Sequence, residues 1–166
     1  MDTLNSEYEL LSKQLAALLE GEDNAITNLS QFAAVIFNNL SEVNWAGFYL
    51  VNEKSMLKLG PFQGQTACTN IEFGKGVCGT SAATREAQLV DDVDQFPGHI
   101  ACDSRSRSEI VCPLIVMDEL IGVFDVDSPV INRFNSQDLL GIRAMLKILV
   151  KTTNWVNLLP LSNDIG

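Results

Sequence analysis

The tightest constraint in this chain is a pair of apolar runs, Glu109 to Val116 and Leu120 to Val126, separated only by Met117-Asp118-Glu119. Runs rich in Ile, Val, Leu and Phe with so short a connection predict an antiparallel β-hairpin. A hairpin cannot bury its apolar side alone, so the remaining chain must supply further strands and helical cover.

The sequence upstream supplies the strands. Asn44 to Val51 is aromatic and β-branched, and Asn52-Glu53-Lys54-Ser55 reads as a turn into a short strand, Met56 to Leu59. Gly60-Pro61-Phe62-Gln63-Gly64 reads as a loop, Thr66 to Phe73 as a third strand and Gln88 to Val90 as a brief fourth. The cover comes from the two ends. Leu4, Tyr8, Leu11, Leu15, Leu18 and Leu19 recur at helical spacing, with Gly21 as the stop, and a second helix spans Asn24 to Leu40. Asn135-Ser136-Gln137-Asp138 marks the start of a helix over 135–157. The expectation is one α+β domain over residues 1–166, with helices in 1–40, a mostly antiparallel central sheet and its loops in 44–128, and a closing helix. The first leucine stripe suits core packing and equally a dimer face.

Charge narrows the partners. Eleven basic against twenty-one acidic side chains leave a net charge of −10, the wrong sign for nucleic acid or anionic lipid. The start of the chain, Met1-Asp2-Thr3-Leu4-Asn5-Ser6-Glu7, shows neither a basic region nor a long apolar run, so the expected location is the cytoplasm.

Four cysteines stand at positions 68, 78, 102 and 112, without a C-x₂-C pair and with a single histidine in the chain. Zinc ligands usually come in close pairs, so no metal is expected. The thiols are then buried structural groups, redox-active groups or a mixture, and for any one of them burial is the commoner fate. Cys102 is set apart by its surroundings. The run Phe96 to Glu109 is rich in turn formers and polar residues, with Arg105, Arg107 and His99 close by, conditions that favour a reactive thiolate.

Strand alternation puts Ile121, Val123, Asp125 and Asp127 on one face. Either the strand leaves the core there and the aspartates are solvated, or the carboxylates serve a site. Glu109 opens the neighbouring strand on the face of Val111 and Ile115, so hairpin pairing brings it toward Asp125 and Asp127. Three carboxylates would then surround one pocket, with Cys102 on the incoming loop. Their repulsion raises a pKa, and such a group can bind an ammonium ion or donate a proton. The spacing Gly74-x-Gly76-x-x-Gly79 lacks a βαβ context and reads as a tight turn into a short helix rather than a nucleotide site.

Several segments together resemble the free methionine-(R)-sulfoxide reductases, which are built on a single GAF domain. They are Asn44-Trp45-Ala46-Gly47-Phe48-Tyr49, Leu59-Gly60-Pro61-Phe62-Gln63-Gly64, Gly76-Val77-Cys78-Gly79-Thr80, Gly98-His99-Ile100-Ala101-Cys102-Asp103, Ser108-Glu109-Ile110-Val111 and Ile121 to Ser128. The resemblance implies Cys102 as the catalytic nucleophile, with Cys68 as the first choice of resolving thiol and Cys78 as the second. It implies Glu109, Asp125 and Asp127 as substrate-binding carboxylates, Glu109 and Asp127 also serving catalysis, and Trp45 and Tyr49 as aromatic pocket residues. Free methionine sulfoxide is the implied substrate and thioredoxin the implied reductant, with no cofactor. Cys112 matches no catalytic position and reads as a buried thiol. Two other readings share these features: a GAF domain that binds a small molecule without turnover, and a redox sensor switched by a disulfide.

Overall fold

The computed structural model describes residues 5–99 and 105–159. Cys102, the expected nucleophile, lies outside the described residues. Two helices lead: α1 (Ser6–Leu18) and α2 (Ala25–Asn39). Each begins at an asparagine whose side chain satisfies an orphan N–H, Asn5 accepting from Tyr8 and Asn24 from Thr27. Gly21, at φ 76°, breaks the chain between them, as its position after the leucine stripe predicts.

Six strands follow: β1 (Trp45–Glu53), β2 (Met56–Gly64), β3 (Asn70–Glu72), β4 (Gln88–Val90), β5 (Ser108–Val116) and β6 (Glu119–Ser128). They form one sheet in the order β3-β2-β1-β6-β5-β4. Every pairing in it is antiparallel. Helix α3 (Gly76–Thr84) lies between β3 and β4, and α4 (Ser136–Thr152) closes the fold behind a capping box of Asn135 and Asp138.

The sheet is packed on both sides. One face, with Ala46, Phe48, Ile110, Cys112, Leu114, Phe124 and Val126, packs against α1, α2 and α4. Phe32 of α2 stands edge-on to Phe48 and Phe124, with ring centroids 5.5 and 4.9 Å away. Burying each such ring contributes about 1.5–3 kcal/mol. The Tyr8 hydroxyl donates to Asp138 Oδ1 at 2.8 Å and joins α1 to the first turn of α4. The opposite face carries Trp45, Tyr49, Val111 and Val123, and α3 covers it through Val77, Cys78 and Ala82.

Five details depart from the sequence reading. The third strand, expected over Thr66 to Phe73, is only Asn70–Glu72, and the closing helix, expected over 135–157, ends at Thr152. The β5–β6 turn has only two residues, Met117 and Asp118 at φ 49° and 65°, and Glu119 already pairs with Val116. Positive φ at both central positions gives the turn the hand that suits twisted strands. Gly60 to Gly64, expected as a loop, continues β2: Gly60 and Pro61 stand opposite the single residue Phe48 as a bulge, which tolerates the missing proline N–H. Ile121 does not share a face with Val123. It is the extra residue where Leu114 pairs with Gly122 and Ile115 with Leu120, and it packs into the helix-covered core instead.

Candidate active site

Ladder register assembles the site. Glu109 pairs with Asp127 and Val111 with Asp125 across β5–β6, while Trp45 pairs with Asp127 and Gly47 with Asp125 across β1–β6. Alternation therefore turns Trp45, Tyr49, Glu109, Asp125 and Asp127 toward the α3 side of the sheet. These five residues line one cavity together with the start of α3 (Gly76, Val77, Cys78), Lys75, Ala67, Ile71, His99 and Ser106.

The carboxylates are almost fully enclosed: Glu109 is 7% exposed, Asp125 6% and Asp127 8%. The alternative of solvated aspartates at a strand end is thereby excluded. One oxygen from each lies within 4.8 Å of the others, a spacing that a cation of either kind, metal or ammonium, can exploit. Burial first, and then the charges of Asp125 and Asp127, holds the Glu109 carboxyl well above the ordinary carboxylate range. Burial and the Asp127 charge do the same to Asp125. The cluster is thus biased toward its protonated form, and a proton held there can pass to a basic atom.

Asp125 has two different edges. Its Oδ2 accepts from the Cys78 thiol at 3.4 Å, while its buried Oδ1 finds no hydrogen-bond donor among the described residues. Cys78 is enclosed as well, and burial together with the Asp125 charge pushes its pKa well up. It is held as a thiol donor, not as a thiolate. Gly79 beside it packs on the Glu72 backbone, where a side chain would collide, and Gly74 at φ 82° makes the turn before α3. The glycine spacing is a turn into a short helix, as expected.

Aromatic rings wall the other side. Trp45 stacks between Tyr49 (centroids 5.8 Å, planes 24° apart) and Phe62 (5.4 Å, 16°). Both polar tips of the β1 pair are occupied: Trp45 Nε1 donates to the Gln65 carbonyl at 3.1 Å and the Tyr49 hydroxyl to the Cys68 carbonyl at 3.0 Å.

The cysteines differ in state and place. Cys68 is disulfide-bonded, and Cys78 and Cys112 are free. Cys112 points to the helix-covered face, 1% exposed, and burial pushes its thiol up to about 12. His99 and Ser106, which lie on either side of residues 100–104 in the sequence, both line the cavity.

Sequence reasoning missed Lys75 and, apart from Cys78, the first turn of α3. That turn carries the unsatisfied N–H groups of a helix start, and it was hidden because a glycine-rich turn gives no side-chain signal. Arg107 is not part of the pocket lining; it lies 3.6 Å from both Asp92 and Asp94. Among the described residues, no helix is long and apolar enough to cross a membrane.

Comparison with known proteins points the same way. A family model described as GAF domain matches residues 26–146. The free methionine-R-sulfoxide reductase of Escherichia coli (strain K12) is 44% identical over 151 residues, covering 89% of this chain and 91% of that protein. The structure of fRMsr of Staphylococcus aureus in complex with substrate aligns with a TM-score of 0.83 at 48% identity, covering 91% of this chain and 99% of the other. The free methionine-R-sulfoxide reductase of Neisseria meningitidis, solved with its substrate, aligns with a TM-score of 0.84 at 41% identity, covering 92% of both chains.

Proposed function

Since the chain belongs to the GAF-domain family of free methionine-R-sulfoxide reductases, we propose that it reduces free L-methionine (R)-S-oxide to L-methionine, with Cys102 as nucleophile. One observation carries this reading: three buried carboxylates face a stacked aromatic pair in a single cavity.

The substrate explains the groups. Burying a cluster of carboxylates is costly, and the positive charge of a free amino acid's ammonium group offsets part of that cost. Peptide bond formation removes the charge, so peptidyl methionine sulfoxide is rejected. Asp125 Oδ1, enclosed and with no donor among the described residues, suits the ammonium. The sulfoxide's methyl group packs on the Trp45 face, beside Tyr49. The substrate carboxylate has the first-turn N–H groups of α3 and Lys75 within the same lining.

The chemistry is a two-electron exchange. The Cys102 thiolate attacks the sulfoxide sulfur while a protonated carboxyl, Glu109 with Asp127 beside it, donates to the oxygen. Methionine leaves reduced, and Cys102 is left oxidised as a sulfenic acid. Condensation with the Cys68 thiol expels water and forms a disulfide, which protects Cys102 from further oxidation. The disulfide state of Cys68 supports its role as a resolving thiol, while Cys78 and Cys112 are free. Cys78, protonated against Asp125, tunes that carboxylate and is the reserve resolving thiol. Thioredoxin reduces the disulfide by exchange in the cytoplasm, and no cofactor enters the cycle. The whole of residues 1–166 acts as one domain.

Epimer-resolved turnover tests the reading. Reduced protein with a dithiol should consume free L-methionine (R)-S-oxide, leave the (S) epimer and spare a methionine-sulfoxide peptide. Turnover of neither epimer would return the chain to the role of a ligand-binding GAF domain.

A further inference from the structure

The stretch from Gln65 to Thr69 links β2 to β3 and carries Cys68, yet it belongs to no helix or strand. Besides the disulfide of Cys68, three hydrogen bonds among the described residues hold it in this oxidised state. Leu59 N donates to the Thr69 carbonyl at 3.0 Å, Trp45 Nε1 to the Gln65 carbonyl at 3.1 Å, and the Tyr49 hydroxyl to the Cys68 carbonyl at 3.0 Å. Two of the three come from side chains of β1, a central strand, and those side chains stack on one another. The bond from Tyr49 is made to the backbone of the cysteine itself. Tyr49 is 2% exposed and its ring stacks on Trp45, so the hydroxyl has little freedom to leave.

We propose that Tyr49 is a positioning residue for Cys68: its hydroxyl holds the Cys68 backbone so that the thiol meets the sulfenic acid and closes the disulfide. The inference rests on Cys68 as the resolving thiol. It assigns to the Tyr49 hydroxyl a task separate from the ring's place in the pocket wall. Ring closure between two thiols depends on how often they meet in reacting geometry. A loop tethered only at its ends samples more positions than one pinned at the reacting residue. Burial, followed by the charge of Asp125, raises the Tyr49 pKa, which keeps the hydroxyl protonated and therefore a donor throughout the cycle.

Peroxide oxidation isolates this step from substrate chemistry. Reduced protein is treated with one equivalent of hydrogen peroxide, which converts a thiolate to a sulfenic acid and releases hydroxide. The sulfenic acid then condenses with the Cys68 thiol and releases water. Disulfide formation is timed by acid quench and mass spectrometry, with dimedone to trap the sulfenic acid. Tyr49→Phe, which keeps the ring and removes the donor, should close about threefold to tenfold more slowly, the kinetic equivalent of one hydrogen bond, and should accumulate the dimedone adduct. Closure of folded Tyr49→Phe at the wild-type rate would overturn the proposal. If Tyr49→Phe does not fold, Tyr49→His, which keeps a ring in the wall but cannot place a donor where the phenol oxygen sits, carries the test; closure at the wild-type rate there overturns it. Wild-type protein that forms no disulfide to Cys68 would instead remove the resolving role itself. Because methionine sulfoxide is absent from the assay, neither outcome depends on the reductase reading.

Discussion

Glu109 and Asp127 are direct register partners across the β5–β6 ladder, both enclosed and both turned toward Asp125. A pair of acids set opposite each other is destabilising when both are charged. The fold tolerates it by retaining protons, and this has a defined sign. The Glu109 and Asp125 carboxyls titrate above their ordinary values of 4.5 and 3.8, so the folded state binds more protons than the unfolded chain over the window that begins there and extends upward. Their protonation stabilises the fold fully below that window, and the contribution is lost as pH rises through the folded pKa values. Glu109→Gln removes one titrating acid and keeps the shape. The melting temperature of this variant should therefore gain on wild type between pH 5 and pH 8, and a constant difference across that interval would contradict the shared-proton cluster.

Asp127→Asn should leave a folded domain with turnover of free methionine sulfoxide reduced by roughly 100-fold or more, the scale of a lost acid–base group. Steady-state kinetics on protein shown to be folded by circular dichroism decides it. Precipitation of the variant with full activity per folded molecule would make the carboxylate structural.

Gly47 is the residue that lets the aromatic wall close. It lies on β1 between Trp45 and Tyr49, and a Cβ there would collide with the Phe62 side chain and come within 2.8 Å of Trp45 Cη2. Gly47→Ala should displace the indole, cost about 1–3 kcal/mol of stability and raise KM more than it lowers kcat. Thermal unfolding and kinetics on the same preparation measure both effects.

The legible parts of this molecule are those in which side-chain pattern and backbone need coincide. Alternation in Val123, Asp125 and Asp127 and in Glu109 and Val111 predicts the carboxylate face, and the register bears that out. Alternation fails at Ile121 because a bulge adds one residue to β6, and a bulge has no side-chain signature there. Gly60 and Pro61 conceal the extension of β2 for the converse reason: their composition suits a loop, and pairing with β1 overrides it. The start of α3 lines the pocket through Gly76 and Val77, residue types that announce no site.

The thiols can be counted. With Cys68 in a disulfide and Cys78 and Cys112 free and buried, oxidised protein should resist iodoacetamide while native and take up two labels once unfolded in denaturant. After reduction and unfolding, all four cysteines should label. Intact-mass spectrometry reads the numbers, and peptide mapping should find the two labels of the oxidised form at Cys78 and Cys112. Label at Cys68 in that form would contradict the pairing on which the catalytic order rests.

Cys112 provides the control for every thiol variant. It lies on the helix-covered face of β5, where Ile110 and Leu114 flank it in the same core, and Glu109 belongs to the opposite face. No chemistry of the pocket reaches it, and its thiol, pushed up to about 12, is not a nucleophile at neutral pH. Cys112→Ser therefore buries a hydroxyl in an apolar core and should cost about 1–3 kcal/mol of stability while keeping most of the activity. Cys102→Ser should do the reverse, abolishing turnover without that loss of stability. Urea unfolding and turnover measured on both variants set the two costs side by side, and equal loss of activity in the pair would mean that the thiols have been ranked wrongly.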